Sequence, residues 1–199
     1  MTAINKIKVH HRGPGFASGG FTLVEMVIVV AVIFIVCAMA VLQLQPLLVV
    51  EQANTAMDQV MDQLRYAREA AIAQRRNVQV QFLGTNVVQL TRYEYNGSTT
   101  ILITLSLQKP IQYTVFPSLP DTPDGFGNTS AIDFEGLPSG PPVMLFQSDG
   151  TFVDNAGNLV NGTVFLGFPG NPGTARAITV LGATGRIRAY HASGSTWAQ

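Results

Sequence analysis

Between Phe21 and Val50 the chain carries 25 apolar residues in 30 and one charge, Glu25. The run from Met26 to Leu42 is 17 apolar residues without interruption, and counted from Phe21 the segment is 22 residues long. As a helix at about 1.5 Å per residue it measures roughly 33 Å, enough to cross a hydrocarbon core of about 30 Å. A plain cytosolic enzyme and a uniformly basic nucleic-acid binder are both excluded. What remains is one membrane-inserted segment followed by a domain of roughly 120 residues, long enough to bury its own core.

Charge is distributed to match. The totals cancel, 12 Lys+Arg against 12 Asp+Glu, but Lys6, Lys8 and Arg12 all precede the apolar segment, no acid accompanies them, and the next cation is Arg65. Positive charge before the segment predicts a cytoplasmic N-terminus and an exported remainder. A conventional signal peptide has its small-residue cleavage site after the apolar region. Here the small residues Ala17, Ser18, Gly19 and Gly20 come first, so cutting there leaves the apolar helix on the mature chain. The single cysteine, Cys37, lies inside that helix, so packing alone must hold the exported part together. Glu25 is the anomaly. A carboxylate at a membrane-helix centre costs on the order of 2.5 to 3.5 kcal/mol and less near an end, which leaves either an acid reaching the headgroups or one that meets a partner.

Beyond the membrane segment, Pro46 removes a helical hydrogen bond and predicts a kink or local unwinding near Gln45. The helical period then resumes. Ala53, Met57, Val60, Met61, Leu64, Ala67 and Ala71 recur at three- and four-residue steps, a core face, and the helix is expected to end near Arg75, Arg76 and Asn77. From Val78 the period becomes two. Strands are predicted at 78–82, 88–94, 101–107, 111–115, 131–135, 143–147, 163–168, 175–181 and 186–191, with a type I′ hairpin at Asn96-Gly97 and Ile101, Ile103, Leu105 and Leu107 on one face. The fold class is α+β: a long N-terminal transmembrane and amphipathic helix packed against antiparallel sheet. The expected divisions are a leader at 1–20, a transmembrane helix at 21–50, an amphipathic helix at 51–77 and a β domain at 78–199, with a Pro- and Gly-rich loop at 117–142 of unassigned role.

Chemistry is sparse. His10 and His11 fall in the leader, leaving His191 alone, so neither a metal site nor an enzyme is expected, and no cofactor. Asp149-Gly150 reads as a turn. Asp149, Asp154, Asn155 and Asn158 imitate a calcium loop with spacing that departs from the EF-hand, and Asp133 with Glu135 reads as a solvated strand face. The closing strand says more. Arg186, Arg188 and Tyr190 alternate onto one face, Ile187 and Ala189 onto the other. Two guanidiniums about 7 Å apart beside a ring can track phosphates and stack a base, or can pair with acids such as Glu135 or Asp133. Without its leader the chain holds nine Lys+Arg against twelve acids, net −3, so DNA affinity would be local and steeply salt-dependent.

The run Gly20-Phe21-Thr22-Leu23-Val24-Glu25 resembles the leader junction of type IV prepilins and type II secretion pseudopilins, with glycine before the cut, phenylalanine after it and glutamate five residues into the mature chain. Phe146 to Thr151 and Gly185 to Arg188 are similar to the C-terminal half of the GspH/FimT group of minor pilins and pseudopilins. The resemblance implies several things about this chain. Prepilin peptidase cuts after Gly20 and methylates the Phe21 amine, and Glu25 pairs with the N-terminal amine of a neighbouring subunit. The protein is held in the bacterial inner membrane with its C-terminal domain in the periplasm, and it assembles with other pilins or pseudopilins. The alternative it implies is a DNA-binding minor pilin of natural transformation, since Gly185, Arg186 and Arg188 match a Gly-Arg-x-Arg motif of FimT-like proteins.

Overall fold

Thr22 decides where the first helix begins. Helix α1 spans Leu23–Gln74, and the Thr22 hydroxyl just before it accepts the Glu25 backbone N–H at 3.2 Å. This is one half of a Ser/Thr-x-x-Glu capping box, and it puts Glu25 in the first turn, near the positive end of the helix dipole. The structure is a computed structural model that describes residues 20–135 and 143–199. Most of the expected leader and part of the expected 117–142 loop lie outside those residues. Helix α1 is assigned continuously through Pro46, so of the kink or local unwinding expected near Gln45 the unwinding does not occur. Proline withholds one donor and leaves the rest of the ladder to carry the helix past it.

The chain forms two units, Met1–Gln43 and Leu44–Gln199. In the first, Leu23–Ala40 is long and apolar enough to cross a membrane and none of it is buried. In the second, α1 ends in a Schellman motif. The Arg76 N–H bonds to the Ala71 carbonyl at 3.1 Å and the Arg75 N–H to that of Ile72 at 3.3 Å, with Arg75 at φ 52° where glycine is usual. Seven α1 residues, from Ala53 through Val60 and Leu64 to Ala71, are buried in one cluster with strands of both sheets, and Met57 and Met61 pack beside them. The expected helical face is thus the core face.

Eleven antiparallel strands follow among the described residues: β1 (Val78–Leu83), β2 (Val87–Tyr93), β3 (Thr99–Ser106), β4 (Gln112–Tyr113), β5 (Ile132–Phe134), β6 (Val143–Phe146), β7 (Phe152–Asp154), β8 (Gly162–Gly167), β9 (Arg176–Leu181), β10 (Arg186–Ser193) and β11 (Thr196–Ala198). One sheet has the order β3-β2-β1-β6-β7. The other has the order β11-β10-β9-β8-β4, with β5 also paired to β8. Strands β7 and β11, three residues each, are too short to show a period and went unpredicted.

Two sequence expectations are corrected. The register of β2 on β3 shifts between Leu90 and Thr91, whose partners are Ile103 and Ile101, so Leu102 is an inserted bulge residue. A bulge breaks the period of two: Leu102 and Ile103 both pack on the core, while Ile101 is 60% exposed. The turn at Asn96-Gly97 has Gly97 at φ 81° and is bonded from the Gly97 N–H to the Glu94 carbonyl, with Glu94 and Ser98 closing the ladder. Asn96 is not in the left-handed region, so this is a type I turn with a glycine bulge and not type I′. The same arrangement recurs at Gln147–Thr151 and Asp154–Asn158, with Gly150 at φ 86° and Gly157 at φ 87°.

Strand β8 is buried at all six positions and β9 at five of six, because the second sheet is covered on both faces. Ile178 and Val180 face the main core. On the outer face Phe116 and Leu119 pack with Ala175, beside Trp197 and Ala192, and the Trp197 indole N–H donates to the Pro120 carbonyl at 2.8 Å. The Pro- and Gly-rich loop after β4 is therefore a cover for the sheet.

Candidate functional site

Two places carry the predicted residues. The first is the start of α1. Gly20, Phe21 and Thr22 precede the helix in non-helical backbone and are exposed, Phe21 to 75%. The Gly20–Phe21 bond thus lies ahead of the helix, in exposed backbone outside its hydrogen-bond ladder. A Cβ on Gly20 would meet nothing within 4 Å, so this structure alone gives no reason for a glycine there. Glu25 is exposed one turn further on.

The second place is the outer face of β10. As the alternation requires, Arg186, Arg188 and Tyr190 share it, but the acid they meet is neither Asp133 nor Glu135. It is Asp124, from the covering loop. The Asp124 carboxylate is 8% exposed and 3.0 Å from the Arg188 guanidinium and 3.6 Å from that of Arg186. It also accepts the Thr179 hydroxyl at 2.6 Å and the Tyr190 phenol at 3.0 Å. Burial pushes the Asp124 carboxyl up, but the Thr179 and Tyr190 hydrogen bonds and the two arginine charges outweigh it and hold the group below its ordinary value. Burial likewise raises the Tyr190 phenol. Both arginine side chains remain partly open, 45% for Arg186 and 39% for Arg188. The Tyr190 ring does not. Only 3% exposed, it packs with Phe165 and Ala177 against Trp197, so it offers no face for a base to stack on. The other two acids have local work: Asp133 accepts the Thr129 N–H and hydroxyl, and Glu135 accepts the Asn161 amide at 2.9 Å.

Gly185 opens the same strand for a separate reason. It has φ 60°, and a Cβ on it would fall 2.2 Å from the Gly150 carbonyl oxygen and 2.8 Å from the Arg68 Nε. A Cβ on Gly150 would fall 2.9 Å from the tip of Ile72. The two short stretches that singled out a family in the sequence are therefore neighbours in space. The turn at Gln147–Thr151 and the turn leading into β10 touch each other against one side of α1, at Arg68 and Ile72, and at Gly185 only glycine leaves room beside the Gly150 carbonyl. Nothing local in the sequence marks Asp124 or Arg68. The signal was indirect: two arginines on an outward face require an acid, and two separated glycine turns require a common neighbour.

The calcium-like run is used up in turns. Asp149 accepts the Thr151 N–H and hydroxyl, and Asp154 accepts the Ala156 and Asn158 N–H groups and the Asn158 amide. Those bonds draw both carboxyls below their ordinary values. Among the described residues no group of three or more His, Cys, Asp or Glu could hold a metal, and His191 is exposed on β10.

A family model described as type II transport protein GspH matches residues 56–184. Among solved structures, the chain is similar to the minor pseudopilin EpsH from the type 2 secretion system of Vibrio cholerae, with 14% identity over 70% of this chain and 97% of that one, at a TM-score of 0.48. It is also similar to the type IV minor pilin FimU of Pseudomonas aeruginosa, with 17% identity over 75% of this chain and 94% of that one, at a TM-score of 0.49. No curated protein matches the chain.

Proposed function

Because the chain belongs to the type II transport protein GspH family, we propose that it is a prepilin cut between Gly20 and Phe21 by a prepilin peptidase, methylated at the Phe21 amine, and drawn into a filament through Glu25. Family membership makes it a minor pilin or pseudopilin of a type II secretion system or type IV pilus, a structural subunit that assembles with other pilins. On the finer reading residues 21–42 hold it in the inner membrane, with the leader in the cytoplasm and the β domain in the periplasm. The observation that carries the reading is the helix start: a non-helical, exposed Gly20–Phe21 bond, a Thr22 cap, and a lone acid in the first turn of a membrane-length helix. Removing the leader leaves the new amine one turn from Glu25, the spacing at which one copy's acid can meet another copy's N-terminus.

The test is Glu25→Ala expressed in cells. Cleavage, read as a mobility shift that a Gly20→Asp variant abolishes, should proceed normally while incorporation into sheared filaments is lost. Normal incorporation would refute the role of Glu25.

The DNA reading has one observation in its favour, the two partly exposed side chains of Arg186 and Arg188. They share one acid, so the site retains one uncompensated positive charge. An oligonucleotide gel shift at low salt, repeated with Arg186→Gln and Arg188→Gln, decides it, and no binding by the wild type removes it.

A further inference from the structure

Asp124 seats its carboxylate in a cradle of four donors drawn from β9 and β10. One oxygen, Oδ1, faces the guanidiniums of Arg188 at 3.0 Å and Arg186 at 3.6 Å. The other, Oδ2, accepts the Thr179 hydroxyl at 2.6 Å and the Tyr190 phenol at 3.0 Å. The cradle therefore holds an anion at two oxygens, with cations on one side and neutral hydroxyls on the other. Asp124 reaches it on a segment that closes on itself. The Gly125 N–H bonds to the Thr122 carbonyl at 2.9 Å, and the Gly127 N–H to the Asp121 carboxylate at 2.9 Å. Among the described residues, every hydrogen bond and ion pair that joins residues 121–127 to the second sheet ends on the Asp124 carboxylate. The segment is thus a strap with a single polar latch, and the two arginines at its edge stay open to solvent.

We propose that this cradle is a binding site for a phosphate group, and that Asp124 occupies it from within the chain until the ligand displaces it. A phosphodiester carries two unesterified oxygens on one phosphorus, so it can repeat both halves of the Asp124 contact, and the arginine fork suits it as well as it suits a carboxylate. Exchanging one anion for the other leaves no donor of the cradle unpaired. Because strap and cradle belong to one chain, the ligand competes against a high effective concentration of carboxylate. Its apparent affinity is reduced to the fraction of molecules whose strap is lifted. The inference rests on the DNA reading above for the source of the phosphate, and adds to it the seat of that phosphate and the contact that restrains its binding. Tyr190 serves there through its hydroxyl, since its ring is buried.

The experiment uses the full-length chain in detergent micelles at about 0.05 M salt, with a single-stranded oligonucleotide and, separately, inorganic phosphate as probes. Asp124→Asn keeps the shape of the side chain and removes its charge. It should bind the oligonucleotide about tenfold more tightly than the wild type, and adding Arg188→Gln should cancel the gain. Glu135→Gln, the same charge change at another acid of the domain, should alter binding by less than about twofold. In the wild type, the oligonucleotide should speed amide exchange from Leu119 to Gly127, where a ligand bound elsewhere would slow it or leave it alone. Trp197 fluorescence verifies that each variant is folded. A gain from Glu135→Gln equal to that from Asp124→Asn, no gain from Asp124→Asn, or exchange unaltered by the ligand overturns the proposal. If Arg186→Gln and Arg188→Gln still weaken wild-type binding in that case, the DNA reading survives alone. Inorganic phosphate that lifts the strap, with no oligonucleotide bound, upholds the cradle and discards the DNA reading. Failure of both probes to bind Asp124→Asn removes both.

Discussion

Replacing Gly185 by alanine tests whether the two glycine turns and α1 meet as described. The new methyl group meets two obstacles. Its backbone sits at φ 60°, where a Cβ costs about 1 to 2 kcal/mol. Its position is 2.2 Å from the Gly150 oxygen, which is backbone and cannot swing away, and relieving such overpacking costs about 1 to 3 kcal/mol more. Gly194 provides the internal control. Its φ is 63°, but a Cβ there meets nothing within 4 Å, so Gly194→Ala carries the conformational cost alone. At roughly 2 to 4 °C per kcal/mol for a domain of this size, Gly185→Ala should lower the Tm by about 10 °C and Gly194→Ala by about 4 °C. The assay is thermal unfolding of the full chain in detergent followed by fluorescence of Trp197, the chain's only tryptophan, which lies in the β domain. Equal shifts for the two variants would mean that the turns do not touch, and the packing account of the Gly185 position would fall.

Asp124→Asn should release the covering loop. With hydrogen bonds to charged groups worth about 1.5 to 3 kcal/mol, a loss of about 2 kcal/mol and faster amide exchange around Leu119 to Gly127 are expected. Because the folded Asp124 carboxyl lies below its unfolded value, its contribution is complete above the ordinary carboxylate range. That contribution disappears only as pH falls through the depressed folded value. The unfolding curves of the wild type and of Asp124→Asn should therefore converge in acid, below about pH 4, and stay apart from about pH 5 to 8. Arg75→Gly should raise stability by about 1 kcal/mol, read by denaturant titration, since glycine takes the positive φ of a Schellman end without penalty. Leu64→Ala, at a fully buried position beneath both sheets, should cost about 2 to 5 kcal/mol in the same titration.

The helical elements were legible because their signals are local and redundant. An uninterrupted apolar run and a repeating core face each depend on neighbours within a few residues, and the structure places Ala53, Val60, Leu64 and Ala71 where the period puts them. Proline at 46 marks a withheld donor but not the end of the helix, which runs from Leu23 to Gln74. Strand positions were legible from alternation until something non-local intervened. The bulge at Leu102 belongs to the pairing of β3 with β2, and the form of the turn at Asn96-Gly97 follows from how that hairpin closes.

By itself the sequence determined the membrane-length helix, the asymmetric charge around it, the acid Glu25 near its start, and the order of one helix followed by antiparallel strands. It also placed Arg186, Arg188 and Tyr190 on a common face, since period-two geometry needs no partner to be known. Only the tertiary structure decided what that face meets. Asp124 lies over sixty residues from the arginines it pairs, and Gly150 is drawn against Gly185 by the packing of two hairpin ends on α1. Contacts at such separations are fixed by how the elements pack, and no pattern within either segment encodes them. The same packing that seats Asp124 between Arg186 and Arg188 also buries the Tyr190 ring, so a face that reads in isolation as three open side chains carries, in the folded domain, a covering loop held by its two arginines.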